Sequence, residues 1–483
     1  MNGTYILLTI VAYFSLLLLI AWMTGARHSD NDAFFRGNRR SPWYVVSFGM
    51  IGASLSGVTF VSVPGMVRGI DMTYMQTCMG FFFGYVVIAH VLLPLYYRLN
   101  LTSIYTYLGG RFGPRSYRTG ASFFLLSKML GAAARLYLVC LVLQRYVFDA
   151  YGIPFALTAV GTVFLIWLYT CRSGIRTIVW TDSLQTFCLL ATLVLILYKV
   201  ILLLGLDVRS AFDAVCQSEY SRIFEFGDWQ SKQHFLKQFL SGIFITIVMT
   251  GLDQDMMQKN LSCRNLKEAQ RNMYCYGISF VPVNFLFLSL GILLLAAAPR
   301  LGLELPAKGD ELLPLFAANG YLGPAVLVLF TIGIIAAAFS SADSALAALT
   351  TSFCVDIIGI GKYDEPHARR IRRQVHLLLS AVFVGCILLF EWADSPSVID
   401  TIYVLASYTY GPLLGLYGFG LFTRQRPRDR FVPYVAIASP VICYLTDRLV
   451  CLLYGYQFGY EMLMLNGLLT FGGLSLLAAR QKA

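Results

Sequence analysis

Residues 336–354, AAAFSSADSALAALTTSFC, set an aspartate and a run of hydroxyl side chains inside one of the most apolar regions of this chain. At about 100° per residue of helix, Ala337, Ser340, Ser341, Ser344 and Thr351 share a stripe roughly 100° wide, with Asp343 at its edge beside Ser340. Hydroxyl and carbonyl oxygens at this spacing suit a hard monovalent cation such as sodium, replacing its water without the grip of several carboxylates. The same serines and threonines also let helices pack closely, each hydroxyl returning to its own backbone. Asp343 favours the ion chemistry, because an aspartate at the bilayer centre costs roughly 2.5–3.5 kcal/mol and marks a pathway or an ion site.

A second group of residues points to an anion. Arg135 sits about halfway along SFFLLSKMLGAAARLYLVCLVLQRYVF, with Lys128 seven residues earlier on nearly the same helical face. An arginine at that depth requires a negative partner, either a carboxylate of the protein, Asp343 or Asp182, or one on a substrate, and its planar fork matches a carboxylate in two places.

These residues need helices to hold them, and composition supplies the medium. Of the 483 residues, 57% are hydrophobic and 13% charged, so this is a membrane protein rather than a soluble globule. Apolar stretches of about 20 residues, the length that crosses a bilayer as helix, begin near residues 5, 44, 74, 119, 152, 178, 234, 273, 321, 374, 397, 431 and 459, giving an all-α protein of 13 transmembrane helices. The first stretch has no basic segment before it and no small-residue cleavage site after it, and so reads as a retained span with its N-terminus outside. On that orientation 25 of the 37 lysines and arginines, Lys259 among them, fall in cytoplasmic segments and 9 outside, which places the C-terminus in the cytoplasm. Basic loops facing anionic headgroups explain the net charge of +11 without nucleic acid. The eleven cysteines lie mostly in spans, with no metal-binding or disulfide spacing.

The longest loop, about 206–233, is too short for a soluble domain, so residues 1–483 form one transmembrane unit. Two spans look interrupted: one carries Gly49, Gly52, Ala53, Ser54, Ser56, Gly57, Thr59, Pro64 and Gly65, the other Gly251, Asp253, Gln254 and Asp255. They lie five spans apart and run in opposite directions, the pattern of two five-helix halves of inverted topology, each opening with a broken helix. The halves cover 44–204 and 234–422, with an extra N-terminal helix at 5–24 and two C-terminal helices in 431–478. Unwound backbone at membrane depth is tolerated where it lines a cavity, so the breaks mark the expected binding site, Asp253 and Gln254 included.

The segments FFRGNRRSPW, GASLSGVTFVSVPG, TSIYTYLGGRFG, SGIRTIVWTDSLQ, DQDMMQKNLSCRNLKEAQ and AFSSADSALAAL, in that order, resemble motifs of the sodium:solute symporter family. That resemblance implies the LeuT-type inverted-repeat fold and a sodium site made by the carbonyls of Gly52, Leu55 and Ala337 with the hydroxyls of Ser340 and Ser341. It implies a second cation site at Asp182 and Ser344, where Asp343 replaces a serine of relatives. Two carboxylates in one site repel, which leaves three roles for Asp343: strengthening that site, carrying a proton, or pairing with an arginine. Ser54, Ser56, Thr59 and Tyr74 match positions that contact substrate in relatives, and Arg135 resembles the arginine with which the sialic acid branch holds its ligand's carboxylate.

Sequence thus leads to a sodium-coupled symporter of the plasma (inner) membrane that imports a small polar solute by alternating access: a sugar acid such as sialic acid, another carboxylate, or a neutral sugar. One or two sodium ions are its only expected metal, with no organic cofactor, no nucleic acid and no obligatory protein partner. One sodium entering down about 100 mV and a tenfold gradient releases roughly 3.7 kcal/mol. An anionic solute cancels the electrical part, so a second sodium suits an anion. The alternatives are proton coupling through Asp343, a channel, and a membrane sensor. An enzyme is not expected, for no nucleophile–base pair or metal motif is visible.

Overall fold

The computed structural model describes residues 3–24, 39–55, 57–170, 175–318, 320–393 and 398–478. Sixteen labelled helices carry the argument. They are α1 (Gly3–Thr24), α2 (Trp43–Ser54), α3 (Gly57–Ile70), α4 (Tyr74–Val87), α5 (Pro114–Leu143), α6 (Phe155–Thr170), α7 (Ile175–Leu203) and α8 (Phe235–Thr246). The remainder are α9 (Gln254–Leu261), α10 (Leu266–Ala297), α11 (Pro324–Ser352), α12 (Glu365–Ala393), α13 (Val398–Thr409), α14 (Gly411–Phe422), α15 (Val432–Tyr454) and α16 (Met462–Leu477). No β-strand is present among the described residues. Among the described residues, seven helices are long and apolar enough to cross a membrane, and two sharply bent pairs raise that to nine. Shorter apolar helices cover Val11–Ile20, Phe155–Leu168, Gly411–Phe422 and Met462–Leu477.

The bent pairs are the two interrupted segments of the sequence. Helices α2 and α3 meet at 56°, and α8, extended by a π-helical turn to Gly251, meets α9 at 66°. The second break has a clear local cause. Asp253 leaves the helical region (φ −104°, ψ 120°) and caps α9, its carboxylate accepting from the N–H groups of Asp255 and Met256. A third interruption separates α13 from α14 at Tyr410, just before Gly411 and Pro412.

Close helix approach sets α2 against α7. A Cβ on Gly52 would stand 2.0 Å from Thr186 Oγ1, and one on Gly49 would stand 3.0 Å from Asp182 Cβ, so only glycine lets the end of α2 lie on the Asp182 face. The Ser183 hydroxyl adds a 3.0 Å bond to Val45 O across the same seam. Helix α11 is buried without a break from Gly333 to Ser352 and packs on α5 and α7. Helix α1 covers α7 and α11, with Phe14 edge-on to Phe339. At the other end of the chain, Asn466 of α16 donates to the carbonyls of Ser407 and Tyr408, tying α16 to α13.

One charge departs from the topology count. Lys259 belongs to no loop: it lies in α9 with its side chain 1% exposed, among carboxylates. A lysine near a span end can be consumed by a buried ion pair, and the loop tally cannot register that.

Candidate ion and substrate site

The cation stripe and the break of α2 lie side by side. Ser341 Oγ donates to Ala53 O at 3.3 Å, joining the middle of α11 to the last turn of α2. Helix α2 ends at Ser54, where the Leu55 N–H closes back on Ile51 O, so the carbonyls that follow Ile51 stand at a helix end, where intrahelical donors run out. Gly52 and Leu55, whose carbonyls sequence proposed as ligands, fall in this turn and just after it, and Leu55, Ala337, Ser340 and Ser341 are all buried. The Ser341 hydroxyl and the end of α2 thus bring oxygen atoms of two segments into contact.

Behind the stripe, Asp182 of α7 is fully buried. Ser340 Oγ donates to its Oδ1 at 2.6 Å and Ser344 Oγ to its Oδ2 at 3.5 Å. Asp343 accepts from the Ser344 N–H at 2.5 Å and from the same Ser344 hydroxyl at 3.3 Å, so Asp182 and Asp343 share one hydroxyl donor. The three residues of the expected second cation site are thus together. Gln185, one turn along α7, and the Tyr13 hydroxyl of α1 beside it add further buried polar atoms next to this group.

The counter-ion of Asp182 is Lys259, with Nζ 2.7 Å from Oδ2. Neither Arg135 nor another arginine takes that place among the described residues. From Lys259 the charges continue: Nζ is 3.7 Å from Asp255 Oδ1, Asp255 Oδ2 is 2.7 Å from Lys128 Nζ, and Lys128 is 3.2 Å from Asp253 Oδ2. Tyr410, at the third interruption, donates to Asp253 Oδ2 at 2.6 Å.

A cavity of about 90 Å³ opens on this file of charges, and Ser54, Lys128, Arg135, Asp253, Tyr276 and Ser341 stand in its wall. Arg135 makes no hydrogen bond or ion pair among the described residues, although Lys128, seven residues away on the same helix, is fully engaged. The wall is otherwise rich in hydroxyls: Ser54 bonds Tyr276, and Tyr85 donates to Tyr276 at 2.8 Å. Tyr74 reaches the wall through Tyr403, hydroxyl to hydroxyl at 2.8 Å. Thr59 is buried in α3 away from the lining, and Ser56 lies outside the described residues. Gln254 points elsewhere: it accepts from Ile104 N and donates to Thr102 O, bracing the 102–104 backbone. Of the two neighbours proposed at this break, Asp253 faces the cavity and Gln254 does not.

The sodium:solute symporter family model matches residues 34–427. The chain belongs to that family. Members of the sodium:solute symporter family are transporters rather than enzymes, and sodium is their coupling ion. Among relatives, the sodium/sialic acid symporter SiaT of Proteus mirabilis is 24% identical over 448 residues, covering 90% of this chain and 88% of the relative. The human sodium/iodide cotransporter is 23% identical over 85% of this chain and 65% of its own length. A solved outward-open, substrate-bound Na⁺-coupled sialic acid symporter superposes with a TM-score of 0.84 at 20% identity over 99% of both chains. The nucleobase–cation symporter Mhp1 reaches 0.55 at 14% identity over 91% and 92%. The fold is therefore that of sodium-coupled symporters, embedded in a membrane and handling small solutes.

Within that family setting, sequence reasoning missed Lys259, Tyr410, Gln185 and Tyr13. Signals for the first two were present: DQDMMQK puts Asp255 and Lys259 four apart on one helical face, and YGP interrupts a span. Gln185 lies on the same helix as Asp182, one turn along. Tyr13 carried no such signal, because only tertiary packing brings α1 to α7.

Proposed function

We propose that this symporter imports a polar organic solute bearing a carboxylate, a sugar acid such as a sialic acid, with the carboxylate on Arg135. The observation that carries this is the Arg135 guanidinium, in the wall of a hydroxyl-rich cavity and without an ion pair among the described residues. Ser54, Tyr276, Tyr85 and Tyr403 supply the donors and acceptors that a polyhydroxylated ligand requires. The names of the sialic acid symporters among the relatives point the same way.

In this reading sodium binds first at the end of α2 and the α11 stripe, on the carbonyls of Gly52, Leu55 and Ala337 and the hydroxyls of Ser340 and Ser341. A second sodium at Asp182, Asp343 and Ser344 would offset the charge of an anionic solute. Two inverted five-helix halves over 44–204 and 234–422, within 13 spans, then rock about the site and release both ligands inward. The protein sits in the inner membrane with its N-terminus outside and its C-terminus in the cytoplasm.

Uptake of labelled N-acetylneuraminate into proteoliposomes, with unlabelled carboxylates and neutral sugars as competitors, tests the assignment. Carboxylates compete and their methyl esters do not; equal competition by neutral sugars overturns it. A second reading, proton coupling, has its own observation: Asp343 and Asp182 are buried carboxylates that share one hydroxyl donor. Uptake that follows pH and ignores sodium would favour it.

A further inference from the structure

A single file of buried charges joins the two sites. Asp182 belongs to the ion side and does not line the cavity, whereas Lys128, Asp253 and Asp255 do. Lys259 stands between them, 2.7 Å from Asp182 and 3.7 Å from Asp255, with its side chain 1% exposed. Asp255 is its neighbour one turn back on α9, and Asp255 in turn holds Lys128 at 2.7 Å.

Such a file has two arrangements. A sodium ion on Asp182 competes with the Lys259 ammonium for the same carboxylate, and like charges held close in a buried site repel strongly. The other carboxylate already paired with that ammonium is Asp255. Once Asp255 divides its charge between two ammonium groups, its grip on Lys128 loosens. Lys128 lies in the cavity wall, seven residues along α5 from Arg135, so the share of its charge that Asp255 releases, beyond what Asp253 holds, is presented to the same solute.

We propose that Lys259 is the residue that couples the ions to the solute, passing sodium binding at Asp182 through Asp255 to Lys128 and so raising affinity for an anion. The inference rests on the carboxylate reading above for its second half only. It goes beyond a packing role, since a file of ion pairs that only held α5, α7 and α9 together would not make one ligand's affinity depend on the other. By linkage the effect is reciprocal: the anion must tighten sodium by the same factor.

The test is titration of the purified transporter in nanodiscs with N-acetylneuraminate, in sodium chloride and in choline chloride, and separately with sodium alone. In the unmodified protein, saturating sodium should tighten the anion by at least about fivefold. Lys259→Met should bind sodium more tightly, its competitor being gone, while sodium alters anion affinity by less than about twofold, a change too small to count as coupling. Asp255→Asn, which leaves Asp182 and Lys259 paired, should bind both ligands yet lose the linkage, and Lys259→Arg should restore it. Linkage that persists in Lys259→Met or in Asp255→Asn overturns the proposal, as does weaker sodium binding in Lys259→Met. Should the parent protein not bind N-acetylneuraminate at all, the solute reading fails. The sodium arm still decides the first half: tighter binding in Lys259→Met supports it and weaker binding refutes it.

Discussion

Lys259 Nζ lies 2.7 Å from Asp182 Oδ2, and the two side chains are 1% and 0% exposed. A pair so completely removed from water is costly to break one side at a time, because the survivor keeps its charge without its partner. Asp182→Ala should therefore lower stability by about 3–5 kcal/mol, read as a fall in the melting temperature of the detergent-solubilised protein. Adding Lys259→Met to it should recover most of that loss. A double variant no more stable than Asp182→Ala would show that the pair contributes little.

Ser341 spans the gap between α11 and the broken end of α2, and removing its hydroxyl deletes both the Ala53 bond and a proposed sodium ligand. Ser341→Ala should raise the sodium concentration for half-maximal uptake by about tenfold, the loss of one hydrogen-bonding contact of about 1.4 kcal/mol. Unchanged sodium activation would remove Ser341 from the site.

Arg135 is expected to act on the solute and leave the ions alone. Arg135→Ala should raise KM for a carboxylate solute by about 10- to 100-fold, in line with hydrogen bonds to charged groups worth about 1.5–3 kcal/mol. Its sodium-induced thermal shift should stay as in the parent. Uptake at parental KM would contradict the carboxylate assignment.

Gly52 tests the seam that positions the break. A Cβ there would meet Thr186 Oγ1 at 2.0 Å and Thr186 Cα at 3.0 Å, so α2 must move off α7. Gly52→Ala should cost about 1–3 kcal/mol by overpacking and weaken sodium activation as well. Gly385→Ala, with open space around its Cβ, serves as the control and should leave both unchanged. Equal behaviour of the two variants would show that the seam tolerates the methyl group.

Much of this site can be read from residue types because membrane depth makes polar groups conspicuous. The small and polar residues at 49–59 and 251–255 announced the two breaks, the serine stripe of α11 pointed to the hydroxyls that meet the end of α2, and Arg135 to the cavity wall. What could not be read depends on how separate helices meet. Counting loop charges assigned Lys259 to the cytoplasm, whereas α9 turns it inward to Asp182 from another part of the chain. Asp253 and Gln254 are adjacent and both polar, and only the cap geometry at the start of α9 decides that the first faces the cavity and the second the 102–104 backbone. Tyr410 joins the site because α13 and α14 part beside Asp253, a tertiary coincidence with no local signature beyond the following Gly-Pro.

The most direct measurement loads proteoliposomes so that an inward sodium gradient, an inward proton gradient or neither is imposed, and follows entry of labelled N-acetylneuraminate in the parent protein and in Arg135→Ala. The account predicts accumulation driven by sodium alone, insensitive to the proton gradient and lost in the variant. Accumulation driven by protons without sodium, or undiminished in Arg135→Ala, would contradict it.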